Sequence, residues 1–145
     1  MTHQEFVEKY TGKKVDWDGK FGAQCVDLIR QYWHDVWKYV QPEPTGDVGA
    51  IAFYSQHIKR PLQRQMAKLV DYDKRAYPPL VPPVGSIVIF KATPSNQYGH
   101  IGICHGHYEG GIFLFDQDGF AQTGARISRW PYDRVCGWLI KNENM

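Results

Sequence analysis

Cys25 stands in Gly22-Ala-Gln-Cys-Val-Asp-Leu28, where a glycine-containing loop leads into an apolar-periodic run. A thiol at a helix N-terminus lies in the positive end of the helix dipole, which favours the nucleophilic thiolate. Alone, such a cysteine is more often a small buried hydrophobe. It gains a chemical reading when a base and an orienting acid accompany it. His100 opens the run His100-Ile-Gly-Ile-Cys104. In a strand, alternation sets Ile101 and Ile103 on one face and His100 with Gly102 on the other, so that Gly102 would leave space beside the imidazole. The acid is Asp116 or Asp118, which share a strand face in Leu114-Phe-Asp-Gln-Asp118; a base needs such a group to fix its tautomer. A plain two-residue turn at Gly110-Gly111 would pair Glu109 with Ile112 and put His100 and Asp116 on opposite faces. If the two meet, the connection needs a three-residue loop or a bulge.

A second constellation precedes the cysteine. Asp16-Trp-Asp18-Gly19 alternates acids before a glycine turn, and Asp27 falls at position twelve counted from Asp16, as in a calcium loop. Lys20 and Gly22 could add backbone carbonyls. Lys20 replaces the usual fifth-position oxygen donor, and Phe21 replaces the sixth-position glycine. The competing reading is an Asx-Gly turn with acids at a helix start. Cys104-His-Gly-His107 offers metal ligands, with His105 and His107 on one face, but no second pair has matching spacing for zinc. Tyr32, Trp33 and Trp37 read as core, Cys136 as packing, and Trp130-Pro-Tyr132 and Trp138 as either core or groove lining.

The elements that must position these residues divide the chain in two. Helices are predicted over Gln4–Tyr10, Gln24–Lys38 and Gly46–Gln56 from three- and four-residue apolar spacing, with Pro42 and Pro44 ending the second. Beyond Pro78-Pro79 and Pro82-Pro83, β-branched and aromatic runs predict strands over Ser86–Lys91, His100–Tyr108, Ile112–Asp116, Ala125–Trp130 and Val135–Lys141. Helices followed by strands indicate an α+β fold, N-terminal helices packed on a C-terminal antiparallel sheet. The stretch 57–75 has no clear element. Lys59, Arg60, Arg64, Lys68, Lys74 and Arg75 make it basic, either a solvated face or an edge drawn to an anionic polymer.

With 145 residues the chain suits one domain, 1–145; 43% apolar, 14% aromatic and 22% charged residues can build a core. A net charge of +2 gives no case for nucleic acid, the short apolar runs none for a membrane span, and no signal peptide is visible. Three scattered cysteines are no disulfide framework.

The segments Asp16 to Leu28, Gly99 to Ile103 and Phe115-Asp-Gln-Asp-Gly119 together resemble a CHAP domain, the cysteine, histidine-dependent amidohydrolase/peptidase family common in phage endolysins. The resemblance implies a papain-like α+β fold and hydrolysis of amide bonds in bacterial peptidoglycan. Cys25 would be the nucleophile, His100 the base, and Gln24 an aid to the oxyanion. Asp116 falls where the family usually has Glu, and Asp118 where it often has Asn. In the calcium-binding subset, Asp16, Asp18 and Asp27 match side-chain ligands to Ca²⁺, with Lys20 and Gly22 as carbonyl donors. Gly85-Ser86 departs from the usual Gly-Asp before the first long strand. A lysin of this kind would be a monomer, alone or within a longer chain. It would be held in the host cytoplasm before release to the cell wall. The alternatives are a wall-binding or virion module that has lost catalysis, and a hydrolase acting on proteins.

Overall fold

The computed structural model describes residues 1–143. Helix α1 (His3–Tyr10) starts with a reciprocal cap: Glu5 N–H donates to Thr2 Oγ1 at 3.1 Å and Thr2 N–H to Glu5 Oε1 at 3.0 Å. Helix α2 (Cys25–Tyr32) is shorter than the predicted Gln24–Lys38. It widens into a π-turn over Trp33–Trp37 and stops at Lys38, whose φ of 60° is left-handed. The wide turn seats both Trp33 and Trp37 in the core, their rings 4.6 Å apart. The predicted helix Gly46–Gln56 is a 3₁₀ segment (Gly46–Ile51) kinked at Gly49, followed by α3 (Ala52–Ser55).

The unplaced basic stretch holds α4 (Pro61–Met66) and a strand that pattern reading missed, β1 (Ala67–Asp71). Five of its six cations are exposed; Arg60 is buried, its guanidinium donating to the carbonyls of Pro44 at 2.6 Å and Glu43 at 3.3 Å. The remaining strands lie within one or two residues of expectation: β2 (Ile87–Phe90), β3 (His100–Tyr108), β4 (Gly111–Asp116), β5 (Arg126–Pro131) and β6 (Val135–Lys141). They form one antiparallel sheet in the order β1-β6-β2-β3-β4-β5, so the fold is α+β as predicted.

Both faces of the central strands are covered, which is why Ile87–Phe90 reads as continuous apolar rather than alternating. On one face Ile87, Ile89, Ile101, Ile103 and Phe115 join Leu28, Ile29, Tyr32 and Trp33 from α2 and its π-turn. On the other, Val88, Phe90, Cys104, Leu114 and Trp138 form a smaller cluster. Among the described residues no helix is long and apolar enough to cross a membrane.

The β3–β4 hairpin sets the geometry of the site. Its turn is Glu109-Gly110, one residue earlier than considered, with Tyr108 opposite Gly111. That turn alone would leave His100 and Asp116 on opposite faces. The ladder shifts between Cys104 and Gly106, where His105 is an extra residue, so Ile103 faces Phe115. The bulge restores His100 and Asp116 to one face, as the two residues require if they are to meet.

Candidate active site

His100 begins β3 directly after Gly99, whose φ is 71° and whose missing Cβ would lie 2.6 Å from the Phe90 carbonyl oxygen. Only glycine fits that approach. His100 is 8% exposed, and its imidazole lies against Trp130, ring centroids 4.6 Å apart and planes 13° from parallel, and near Phe90 at 6.0 Å. Its Nε2 is 2.6 Å from Asp116 Oδ2, and Asp116 is 2% exposed. With Nε2 committed to the carboxylate, Nδ1 is the nitrogen left for a thiol. Burial lowers the His100 pKa, but hydrogen bonding to Asp116 and to Cys25 and the charges of both outweigh it, and the value rises to about 9. Cys25, half-buried as the first residue of α2, therefore acts on the same imidazole as Asp116.

Asp118 is elsewhere. Its Oδ1 accepts from Phe120 N–H at 2.8 Å and Ala121 N–H at 3.2 Å, closing the turn after β4, so of the two candidate acids only Asp116 meets His100. Gly102 also has a different purpose from the one expected. A Cβ there would come within 2.5 Å of Leu114 Cγ, so its emptiness accommodates Leu114 of β4, not the imidazole. Gln24 is the exposed N-cap of α2. Its N–H donates to Asp27 Oδ2 at 2.9 Å, and its carbonyl accepts from Gln117 Nε2 at 2.7 Å and from Asp27 N–H at 3.1 Å.

Gln117, which sequence reading passed over, is fully buried and clasps the cysteine loop to the end of β4. Its Nε2 also donates to Val15 O at 2.6 Å, and its Oε1 accepts from Val15 N–H at 3.1 Å. Alternation alone puts it on the face opposite Asp116, toward the helices; that was the available signal. Gln122 makes a second clasp, accepting from Ala23 N–H at 3.3 Å and donating to Gly119 O at 2.7 Å. Ser128 and Trp130 of β5 were likewise not foreseen as partners of the acid: Ser128 Oγ lies 2.7 Å from Asp116 Oδ1, and Trp130 Nε1 donates to Ser128 Oγ at 3.0 Å.

Asp16, Asp18 and Asp27 bring carboxylate oxygens within 4.8 Å of one another. Among the described residues none of the three has a cation at salt-bridge distance. Burial of Asp27, reinforced by the charges of Asp18 and Asp16, pushes its carboxyl up to about 6. Crowded hard oxygens that repel one another fit a divalent cation of the calcium type. Phe21 takes φ 64°, the left-handed conformation that the sixth-position glycine of a calcium loop supplies without strain. Lys20 and Gly22 are exposed within this loop. The zinc alternative is not assembled. The bulge parts His105 from His107: His105 Nδ1 meets His3 Nε2 at 2.9 Å, whereas His107 Nε2 meets Pro82 O at 2.6 Å. Cys104 is buried and its thiol is pushed up to about 11 by that burial; half-buried Cys136 is pushed up for the same reason.

A thiol at a helix start, an imidazole and a buried carboxylate are thus brought together by helices and an antiparallel sheet. A family model for the CHAP domain matches residues 14–118, most of the chain, and the chain belongs to that family. Among solved structures it is similar to the wild-type endolysin LysIME-EF1, with 24% identity and a TM-score of 0.67 over 97% of this chain. It is also similar to Ly7917 in two crystal structures, one with the hydrolyzing product of MDP, at 15% and 16% identity and TM-scores of 0.68 and 0.67 over 96% and 97% of this chain. The chain spans 64%, 61% and 63% of those chains, a little under two thirds of their length. No curated protein sequence matches it.

Proposed function

We propose that this chain is a peptidoglycan hydrolase that cleaves an amide bond with Cys25 as nucleophile, and that it acts at the bacterial cell wall as a phage lysin or the catalytic part of one. The observation that carries the reading is the 2.6 Å His100–Asp116 hydrogen bond with Cys25 acting on the same ring. Family membership and the likeness to endolysins support it.

The roles follow from the geometry. Asp116 holds Nε2–H and stabilises the imidazolium, leaving Nδ1 to the thiol. The Cys25 thiolate attacks the carbonyl carbon. The oxyanion is received by the Gln24 side-chain amide and by main-chain N–H groups at the start of α2, which lack intrahelical partners. As the C–N bond breaks, the His100 proton passes to the leaving amine, giving a Cys25 thioester. Water then gives a proton to His100 while its oxygen attacks the thioester. The C–S bond breaks, releasing the acid and restoring thiolate and imidazolium. Asp16, Asp18 and Asp27, with carbonyls of Lys20 and Gly22, would hold Ca²⁺, whose charge would relieve the carboxylate repulsion and brace the loop before Cys25.

Purified sacculi should lose turbidity with the wild type and keep it with folded Cys25→Ala; clearing by that variant overturns the assignment. Mass spectrometry of the digest identifies the bond: an amine freed on L-Ala marks an amidase, a cut within stem or cross-bridge an endopeptidase. EDTA should lower both melting temperature and activity; a change in neither removes calcium from the account.

A further inference from the structure

Asp116 has two carboxylate oxygens, and only one of them faces His100. Oδ1 lies 2.7 Å from Ser128 Oγ, and Ser128 Oγ lies 3.0 Å from Trp130 Nε1. An indole N–H can only donate, and a hydroxyl has one proton. With Trp130 donating to the Ser128 oxygen, the Ser128 proton is directed onto Asp116 Oδ1. The carboxylate is then an acceptor at both oxygens, and the proton of the 2.6 Å His100 bond belongs on Nε2. The indole that starts this chain also stacks on the imidazole at 4.6 Å, with planes 13° apart. The contacts therefore close a ring: Trp130 to Ser128, Ser128 to Asp116, Asp116 to His100, His100 back to the Trp130 face. Both β5 residues come from alternate positions of an edge strand in which Ser128 stands opposite Leu114 and Trp130 opposite Ile112. The strand register thus delivers the hydroxyl diagonally to Asp116 and the indole beyond it.

We infer that Ser128 and Trp130 are positioning residues for the reaction. Their hydrogen-bond chain fixes Asp116 as a double acceptor and His100 as the Nε2–H tautomer, and the indole plane fixes the ring's orientation toward Cys25. The inference rests on the proposed thiol mechanism. Neither residue touches substrate in this account, so their loss slows the chemical step without weakening capture of the wall.

The test compares Ser128→Ala, Ser128→Thr, Trp130→Phe and Cys25→Ala on sacculi, with melting temperature measured for each. Ser128→Ala should lower kcat about tenfold, the range typical of lost outer-shell partners, with the half-saturating sacculus concentration unchanged. Ser128→Thr, which keeps the hydroxyl, should recover the wild-type rate. Trp130→Phe keeps a stacking ring but no N–H and should lower kcat in the same direction with little change in melting temperature. The downfield proton resonance of His100 Nε2–H should move upfield in Ser128→Ala and Trp130→Phe and return in Ser128→Thr. Wild-type kcat and resonance in both Ser128→Ala and Trp130→Phe overturn the inference. So does a loss confined to the half-saturating concentration. An active Cys25→Ala overturns the underlying mechanism instead, which keeps the two failures apart. If Ser128→Ala fails to fold, Trp130→Phe decides alone.

Discussion

Replacing Gln117 tests whether the loop before Cys25 is held by one side chain. Gln117 is fully buried and satisfies three main-chain groups: Val15 N–H at 3.1 Å, Val15 O at 2.6 Å and Gln24 O at 2.7 Å. Gln117→Ala leaves the two Val15 groups without that partner, while Gln24 O keeps the Asp27 N–H at 3.1 Å. Orphaned buried polar groups cost about 1–3 kcal/mol each. Partial relief by water brings the expected total to roughly 2–5 kcal/mol. For a chain of this size that is a fall in melting temperature of about 6–15 °C, read by calorimetry or circular dichroism. Gln117→Glu conserves shape and sharpens the argument. At neutral pH its carboxylate can accept from Val15 N–H but presents an anion to two carbonyl oxygens. The folded state therefore binds a proton more tightly than the unfolded chain, where a Glu titrates near 4.3. The deficit of this variant relative to wild type should be full above its raised folded-state pKa and shrink as pH falls toward 4.3. Because Gln24 immediately precedes Cys25, sacculus clearing should fall about tenfold or more in both variants at temperatures where they are folded, as expected when reacting groups are loosely placed. A melting temperature within 2 °C of wild type for Gln117→Ala (roughly 0.7 kcal/mol) would refute the clasp. A Gln117→Glu deficit independent of pH would refute the donor argument.

Gly102→Ala should destabilise the fold by about 1–3 kcal/mol through the overlap with Leu114, and Leu114→Ala in the same chain should recover part of that loss; an additive double mutant removes the explanation. Asp27→Asn, which keeps an oxygen for the Gln24 N–H, should raise the melting temperature measured in EDTA by removing one charge from the crowded carboxylates, and should abolish any gain from added Ca²⁺. A fall in EDTA would contradict the repulsion. His100 has a folded pKa of about 9, raised from 6.5, so its stabilising contribution is complete below pH 6.5 and lost as pH rises through 9. Activity and melting temperature should both decline along that alkaline limb, and Asp116→Asn should move it to lower pH.

The chemistry was more legible than the scaffold. Cys25, His100 and the pair Asp116 and Asp118 stand out as candidates because of residue type and local spacing, and the β-branched runs of β2 to β6 announce themselves by composition. Ala67–Asp71 does not: an edge strand carrying Lys68 and Asp71 has too few apolar positions to show a period of two. Apolar spacing continued past Tyr32, so the change to a π-turn left no trace in the pattern. The choice between Asp116 and Asp118 was closed by a bulge at His105 that nothing in Cys104-His-Gly-His107 signals. Gln117, Ser128 and Trp130 depend on contacts across 93 to 102 residues or on the register of β5, and local spacing contains neither.

That single extra residue makes the hairpin obey a parity rule. Deleting His105 would close the ladder into regular pairing and swing Asp116 to the helix side, separating it from His100 with both residues still present. Length can be added at the tip, beyond Tyr108 and Gly111 where pairing ends, without disturbing that relation. Between the bulge and His100 or Asp116, an insertion of one inverts the side chains, and an insertion of two keeps the face but slides the pair about 7 Å apart along the sheet. Designed inserts in this hairpin should therefore be placed at the tip, since the site is specified by the count of residues between the bulge and the pair as well as by residue identity.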